Sequence, residues 1–260
     1  MPTTIQGQLY DYPHYYDLVF GSDWKAEYDF ILACCRQFAK RRVRRMFEPA
    51  CGTGRLIFRL ARAGYRVGGN DLNPRAVAYC NRRLRRHGLK ATATVGDMAD
   101  FRLPRPADAA FNTINSFRHL SDERSALGHL RSMAAALAPG GIYLLGLHLT
   151  PADGSPSEPE SWPARRGNLA VLSRMWTTRI DLARRQEWVS MCFDVWTPRR
   201  QFRIEQQIAF RTYTAVQFRR LLGRVRQFEV AATFDFAYDL EQPIDVDDQT
   251  EDVVYVLRRR

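Results

Sequence analysis

The stretch Phe47-Glu48-Pro49-Ala50-Cys51-Gly52-Thr53-Gly54-Arg55-Leu56, with Gly69-Asn70-Asp71-Leu72-Asn73-Pro74 after it, constrains this chain more than any other. The first part is the end of a strand, a glycine turn and the start of a helix. The second is another strand end, whose carboxylate Asp71 lies 17 residues past Gly54. A parallel α/β sheet presents a nucleoside in this way: glycines let the backbone come close, and an acid at the tip of the next strand takes the ribose hydroxyls. A dinucleotide fingerprint has a third glycine for close helix approach, and here Ile57 stands in its place. The turn therefore suits a ligand without phosphates and argues against NAD. No Gly-Lys-Ser/Thr follows, which excludes a P-loop.

The rest of the chain supports that sheet. Tyr28, Ile31, Leu32, Cys35 and Phe38 recur at helical spacing and predict a helix over about 24–40. Strands are predicted at 43–48, 65–70, 91–95, 108–113 and 142–149, with helices at 54–63, from 74 to before Gly88, and at 121–138. Asn73 and Pro74 are a favourable cap and first residue. Strand and helix alternate throughout, so the fold class is α/β, a doubly wound, Rossmann-like, seven-stranded sheet. Residues 151–163 read as a loop. The runs Leu169 to Ile180, Glu187 to Thr197 and Gln201 to Thr212 then read as an antiparallel β insertion after the fifth strand. A helix at 214–223 and strands at 228–236 and 253–257 complete the sheet. The expected division is 1–150 with 211–260 as the ligand-binding domain, and 151–210 as the insertion.

Composition excludes several classes. No apolar run approaches the ~18 residues of a membrane span, and Met1 to Gln6 show no signal-peptide pattern. Cys34, Cys35, Cys51, Cys80 and Cys192 have no metal-ligand spacing, so reduced thiols in a cytoplasm and no bound metal are expected. The net charge of +11 invites a nucleic-acid partner. Only three of the 39 basic residues are lysine, however, which points to a general arginine preference. The arginine clusters, Arg36 to Arg45 and Arg82 to Arg86, lie on helices and read as solvated faces.

Five segments together resemble the motifs of class I S-adenosylmethionine-dependent methyltransferases of small-molecule type. They are Glu48 to Gly54, Asp71, Gly96-Asp97-Met98, Asp108 to Asn115, and Leu137 to Gly141. The resemblance implies S-adenosyl-L-methionine as cofactor. It also implies a role for each matching residue. Gly52 and Gly54, with Ala50 and Cys51 in the same turn, would make room for the methionine part, above Glu48. Asp71 would bind the ribose, Asp97 the adenine amino group, and Met98 and Leu72 the two adenine faces. Asn112 would lie near the sulfonium. Tyr10 to Asp17 resembles the aromatic piece that covers the cofactor in such enzymes, with Tyr16 and Tyr12 as contacts.

Methyl transfer from a sulfonium is an in-line displacement, so alignment and water exclusion carry most of the catalysis. An oxygen acceptor needs a base, whereas an amine has only to arrive neutral. His119, just after the fourth strand, and His148, at the end of the fifth, are the candidate bases. The fourth-strand segment Asn112-Thr113-Ile114-Asn115 departs from the Asn-Pro-Pro-aromatic motif of enzymes that methylate DNA bases, which lowers the nucleic-acid reading. The expected activity is methyl transfer to an N or O atom of a small molecule. The segment 165–212 would roof the active site or build a homodimer contact. The alternatives are a nucleic-acid- or ribosome-binding protein that keeps this fold, catalytic or not, and a non-catalytic partner subunit.

Overall fold

Two sheets arise from the two β patterns, the buried apolar strands of the first 150 residues and the alternating runs after them. The computed structural model describes residues 3–260. Its elements are β1 (Thr3–Gln6), α1 (Pro13–Phe20), α2 (Lys25–Phe38), β2 (Arg45–Pro49), α3 (Arg55–Arg62), β3 (Arg66–Asp71), α4 (Pro74–Arg86), β4 (Ala93–Val95), β5 (Ala107–Asn112), α5 (Glu123–Ala136) and β6 (Leu137–His148). They continue as β7 (Glu160–Arg166), β8 (Leu169–Asp181), β9 (Gln186–Trp196), β10 (Gln201–Arg211), α6 (Ala215–Gly223), β11 (Phe228–Phe234) and β12 (Asp252–Arg259).

The main sheet has the order β11-β12-β6-β5-β2-β3-β4. Strands β2 to β6 pair in parallel, while β12 lies antiparallel to β6 and to β11. The strand β2 is central: the chain goes outward through β3 and β4, then returns to the other side for β5 and β6. Ligands of such sheets lie at that switch point, beyond the carboxyl ends of the strands. Every residue of β5 is buried, as a strand covered on both faces requires. One face packs Leu127, Leu130, Tyr143 and Phe218 around α5 and α6. The other packs Ile31, Leu56, Leu84 and Phe111 around α2, α3 and α4.

The second sheet has the order β1-β10-β9-β8-β7. Its pairs are antiparallel except β1 with β10. Its inner face, with Val171, Phe193 and Ile204, forms a third core with Leu9, Tyr15 and Leu18 of the N-terminal segment. The aromatic segment is thereby fixed between the two sheets.

Three local differences from the sequence reading have physical causes. Strand β7 begins inside the stretch expected to be loop; it is an edge strand around Pro163, where a proline costs no ladder bond on the open side. Strand β1 is too short and polar to be seen alone, and forms because the edge of β10 is open to it. Pro139-Gly140-Gly141 lies within β6 rather than before it. The irregularity survives as a positive φ of 75° at Gly140 and a register shift opposite Ala107–Ala109. Among the described residues, no helix is long and apolar enough to cross a membrane. All five cysteines are free and buried.

Candidate functional site

The carboxyl ends of β2 and β3 build the centre of the site. Beyond Pro49 the backbone turns with positive φ at Ala50 (51°), Gly52 (51°) and Gly54 (67°), and Gly54 caps α3. A side chain on Gly54 would run into the sulfur of Cys80, so glycine here lets α3 and α4 approach. A side chain on Gly52 would meet nothing within 4 Å: that backbone faces open space. Asp71 at the tip of β3 steadies the turn. Its Oδ2 accepts the Gly52 N–H at 2.7 Å and its Oδ1 the Asn73 N–H at 2.8 Å. Burial raises the Asp71 pKa, and those two N–H groups oppose the rise. A carboxylate has about four lone-pair sites, so about half remain for a ligand.

Beneath the turn, Glu48 is 9% exposed and its Oε2 has no hydrogen-bond partner. Burial holds its pKa well above the ordinary range, with the Arg55 charge opposing. Arg55, the first residue of α3, has no role in the sequence motif but gains one here. Its guanidinium pairs with buried Glu27, which also accepts the Thr113 hydroxyl, and donates to the Asp23 carbonyl at 3.1 Å. The only sequence signal was its place directly after Gly54; its partner Glu27, from α2, is remote in sequence.

The aromatic segment covers this centre. The Tyr10 and Tyr16 rings pack tilted, with centroids 5.5 Å apart, and the nearby Asp71 charge contributes to the raised pKa of each phenol, after burial as the main cause. Two ties hold the cover to α4. Asn73 Nδ2 donates to Asp11 at 2.9 Å, and Asp17 accepts the Tyr79 hydroxyl at 3.0 Å and pairs with Arg83.

The other expected residues fall into two groups. Leu72 lies beside Asp71 and is 67% exposed, an apolar side chain facing the open edge. Asp97 is exposed on the same edge, its Oδ1 accepting the Ala99 N–H at 2.7 Å. Ala50 and Cys51 lie within the turn, and the Cys51 thiol is buried. Met98 and Asn112 point inward. The Met98 side chain belongs to the core around Phe47 and Leu127. Asn112 is 5% exposed and donates to the Pro49 carbonyl at 2.8 Å, tying β5 to β2; its Oδ1 is buried without a partner.

A small separate cavity of about 40 Å³ opens between the end of β6 and the second sheet. Its walls include His148, Arg118, Glu160, Trp176, Glu187 and Phe210. Arg118 and Glu187 form a buried ion pair, with Arg118 Nε donating to the Arg211 carbonyl at 2.9 Å. His148 and Asp252 stand opposite each other in the β6–β12 register, and His148 Nδ1 pairs with the Asp252 carboxylate. Nδ1 is thus the donor, which leaves Nε2 as the nitrogen with a free lone pair. His119 shares a hydrogen bond between its Nε2 and the Tyr10 hydroxyl at 3.1 Å. Surrounding protein, then the Arg118 charge, lowers its pKa. The residue keeps an exposed surface, and solvent at that surface moderates the shift.

Residues 47–141 match the family described as a methyltransferase domain. A curated relative, a dTDP-3-amino-3,4,6-trideoxy-alpha-D-glucopyranose N,N-dimethyltransferase of Streptomyces venezuelae, is 28% identical over 138 residues, 52% of this chain and 56% of that protein. The chain thus matches about half the length of that relative. Among solved structures, an S-adenosylmethionine-dependent methyltransferase of Clostridium acetobutylicum superposes with a TM-score of 0.75 at 18% identity, covering 95% of this chain and 97% of that one. The sugar N-methyltransferase KedS8 of Streptoalloteichus gives 0.74 at 20%, covering 98% and 94%. S-adenosylmethionine-bound CalS10, an amino pentose methyltransferase of Micromonospora echinaspora, gives 0.72 at 19%, covering 98% of each chain. At these identities the likeness establishes the fold.

Proposed function

We infer that this chain, whose residues 47–141 match a methyltransferase domain, transfers a methyl group from S-adenosylmethionine to a nitrogen of a small-molecule acceptor. The observation that carries the reading is the pairing of Asp71, anchored on the Gly52 N–H, with the orphaned Oε2 of Glu48 beneath an open glycine turn. These groups fit a nucleoside at one end and an ammonium-bearing amino acid at the other. Asp71 would hold the ribose, Leu72 and Asp97 the adenine, and Glu48, with Arg55 beside it, the charged methionine end. Tyr10 and Tyr16 would cover the cofactor and keep water out.

When bound, the cofactor supplies a methyl group already activated on sulfur. The protein's part is to align a neutral nitrogen with it. The cavity walled by Trp176, Glu187 and His148 is the acceptor site in this reading, which makes 151–210 its roof. The names of the relatives favour an amino sugar as acceptor. An aliphatic amine enters as an ammonium ion. His148 Nε2, oriented by Asp252 on Nδ1, takes its proton, and His119 positions the Tyr10 cover. Five buried, unpaired cysteines support a cytoplasmic setting.

Calorimetric titration with S-adenosylmethionine, S-adenosylhomocysteine and NAD tests the cofactor. Micromolar binding of the first two and none of the third is expected. Mass spectrometry of amino-sugar acceptors then looks for one added methyl group on nitrogen. Binding of NAD, or no binding of the first two, overturns the reading.

A further inference from the structure

The Arg82 to Arg86 cluster on α4 reads in sequence as a solvated helix face, and α3 carries Arg55 and Arg59. Folding turns them toward each other. Beside α3 and α4 lies an open groove of about 340 Å³, bounded on a third side by Arg166 at the end of β7. It is distinct from the acceptor cavity: Arg166 and the cavity residue Glu160 stand at opposite ends of β7, roughly 20 Å apart.

Six guanidinium groups line this groove against one carboxylate, Asp17. Arg55 is matched by Glu27, and Arg83 by Asp17. Arg59, Arg82, Arg86 and Arg166 have no carboxylate within ion-pair distance among the described residues. Three of the groups also lie over aromatic rings. Arg59 lies 4.2 Å over the Trp24 ring and 5.3 Å over Phe58. Arg83 lies 5.8 Å over Phe58 and 5.1 Å over Tyr79, and Arg82 6.0 Å over Tyr79. Like charges gathered in a concavity repel one another, and a ligand that supplies the missing negative charge relieves this. Planar guanidinium groups bind phosphoryl oxygens in pairs. The concave shape and finite volume suit a compact ligand; a nucleic-acid strand runs on past the site it contacts.

We propose that this arginine groove binds a small molecule bearing adjacent phosphoryl groups, a di- or triphosphate. The proposal is independent of the methyl-transfer reading. The probes are inorganic pyrophosphate and tripolyphosphate, titrated calorimetrically into the full chain without divalent cations, against sodium chloride at matched ionic strength. Saturable 1:1 binding is expected, tighter for tripolyphosphate. In Arg82→Gln/Arg86→Gln it should weaken about 10-fold or more, since each arginine contributes charge-assisted hydrogen bonds. Both residues are exposed and outside the cofactor site, so S-adenosylmethionine affinity, where present, stays within about twofold. Three results overturn the proposal: a response no larger than that to chloride, undiminished binding by the double variant, or binding of a DNA oligonucleotide with none of pyrophosphate.

Discussion

Replacing Asp71 by asparagine keeps the shape of the side chain and removes its charge. In the folded chain the carboxylate accepts from Gly52 at 2.7 Å and Asn73 at 2.8 Å. Asparagine offers one acceptor oxygen, so one of these N–H groups loses its partner and the turn loosens slightly. The larger effect falls on the cofactor. Two ribose hydroxyls donating to an ionised acceptor become two neutral contacts, one of them to an amide NH2 that cannot accept. A loss of about 1.5–3 kcal/mol follows, roughly 10- to 150-fold in Kd. Acidity provides a second signature. Burial raises the Asp71 pKa, so the empty protein retains that proton to higher pH than an exposed aspartate would. Because the ionised form binds, native affinity for S-adenosylmethionine should fall as pH drops through that raised range. Asp71→Asn should lose this step while keeping any that belongs to Glu48. The assay is calorimetry of both proteins at pH 8 and pH 5, with thermal melts to show that the variant is folded. A folded variant binding within twofold of the native protein, with the same pH dependence, would refute the placement of the ribose on Asp71.

Other outcomes are open to simple measurement. His148→Gln should lower kcat about 100-fold at neutral pH, within the usual range for general base catalysis. Cofactor affinity should hold, and the deficit should shrink at high pH, where the amine arrives neutral; an equal deficit at all pH values would remove His148 from proton transfer. Gly54→Ala should cost about 2–4 kcal/mol in chemical denaturation, because the new methyl group meets the Cys80 sulfur at a positive φ. Adding Cys80→Ala should recover part of the loss. His129, 1% exposed, donates from Nδ1 to the Met98 carbonyl and accepts the Tyr143 hydroxyl on Nε2, both at 2.8 Å, so it is buried neutral. Burial pushes its pKa down to about 4, with the Met98 carbonyl as an opposing influence. Between pH 6.5 and 4 the unfolded chain takes up a proton that the folded one refuses. Stability present above pH 6.5 is therefore lost on acidification, by about 3 kcal/mol in all. His129→Gln should flatten that part of the curve, and an unchanged slope would count against it.

What could be seen in the sequence follows from where each signal resides. The glycine turn, Asp71 and the Asn73-Pro74 cap are local: each needs only its immediate neighbours, and all stand where the spacing put them. The strand and helix order is local too, because one period of hydrophobicity fixes one element. Three features escaped because they are made by contacts distant in sequence. Arg55 acquires its meaning from Glu27, and β1 exists only because β10 offers it an edge. His148 is oriented by Asp252, 104 residues later, through the register of β6 with β12. Met98 and Asn112 illustrate the converse. A motif does not specify which way a side chain turns. Met98 fills the core beside Phe47, and Asn112 ties β5 to the Pro49 carbonyl. Asn112 can still act on the cofactor turn by holding its first residue in place. A functional role for it is therefore one of positioning, and Asn112→Ala should move Asp71-dependent binding without any direct contact being lost.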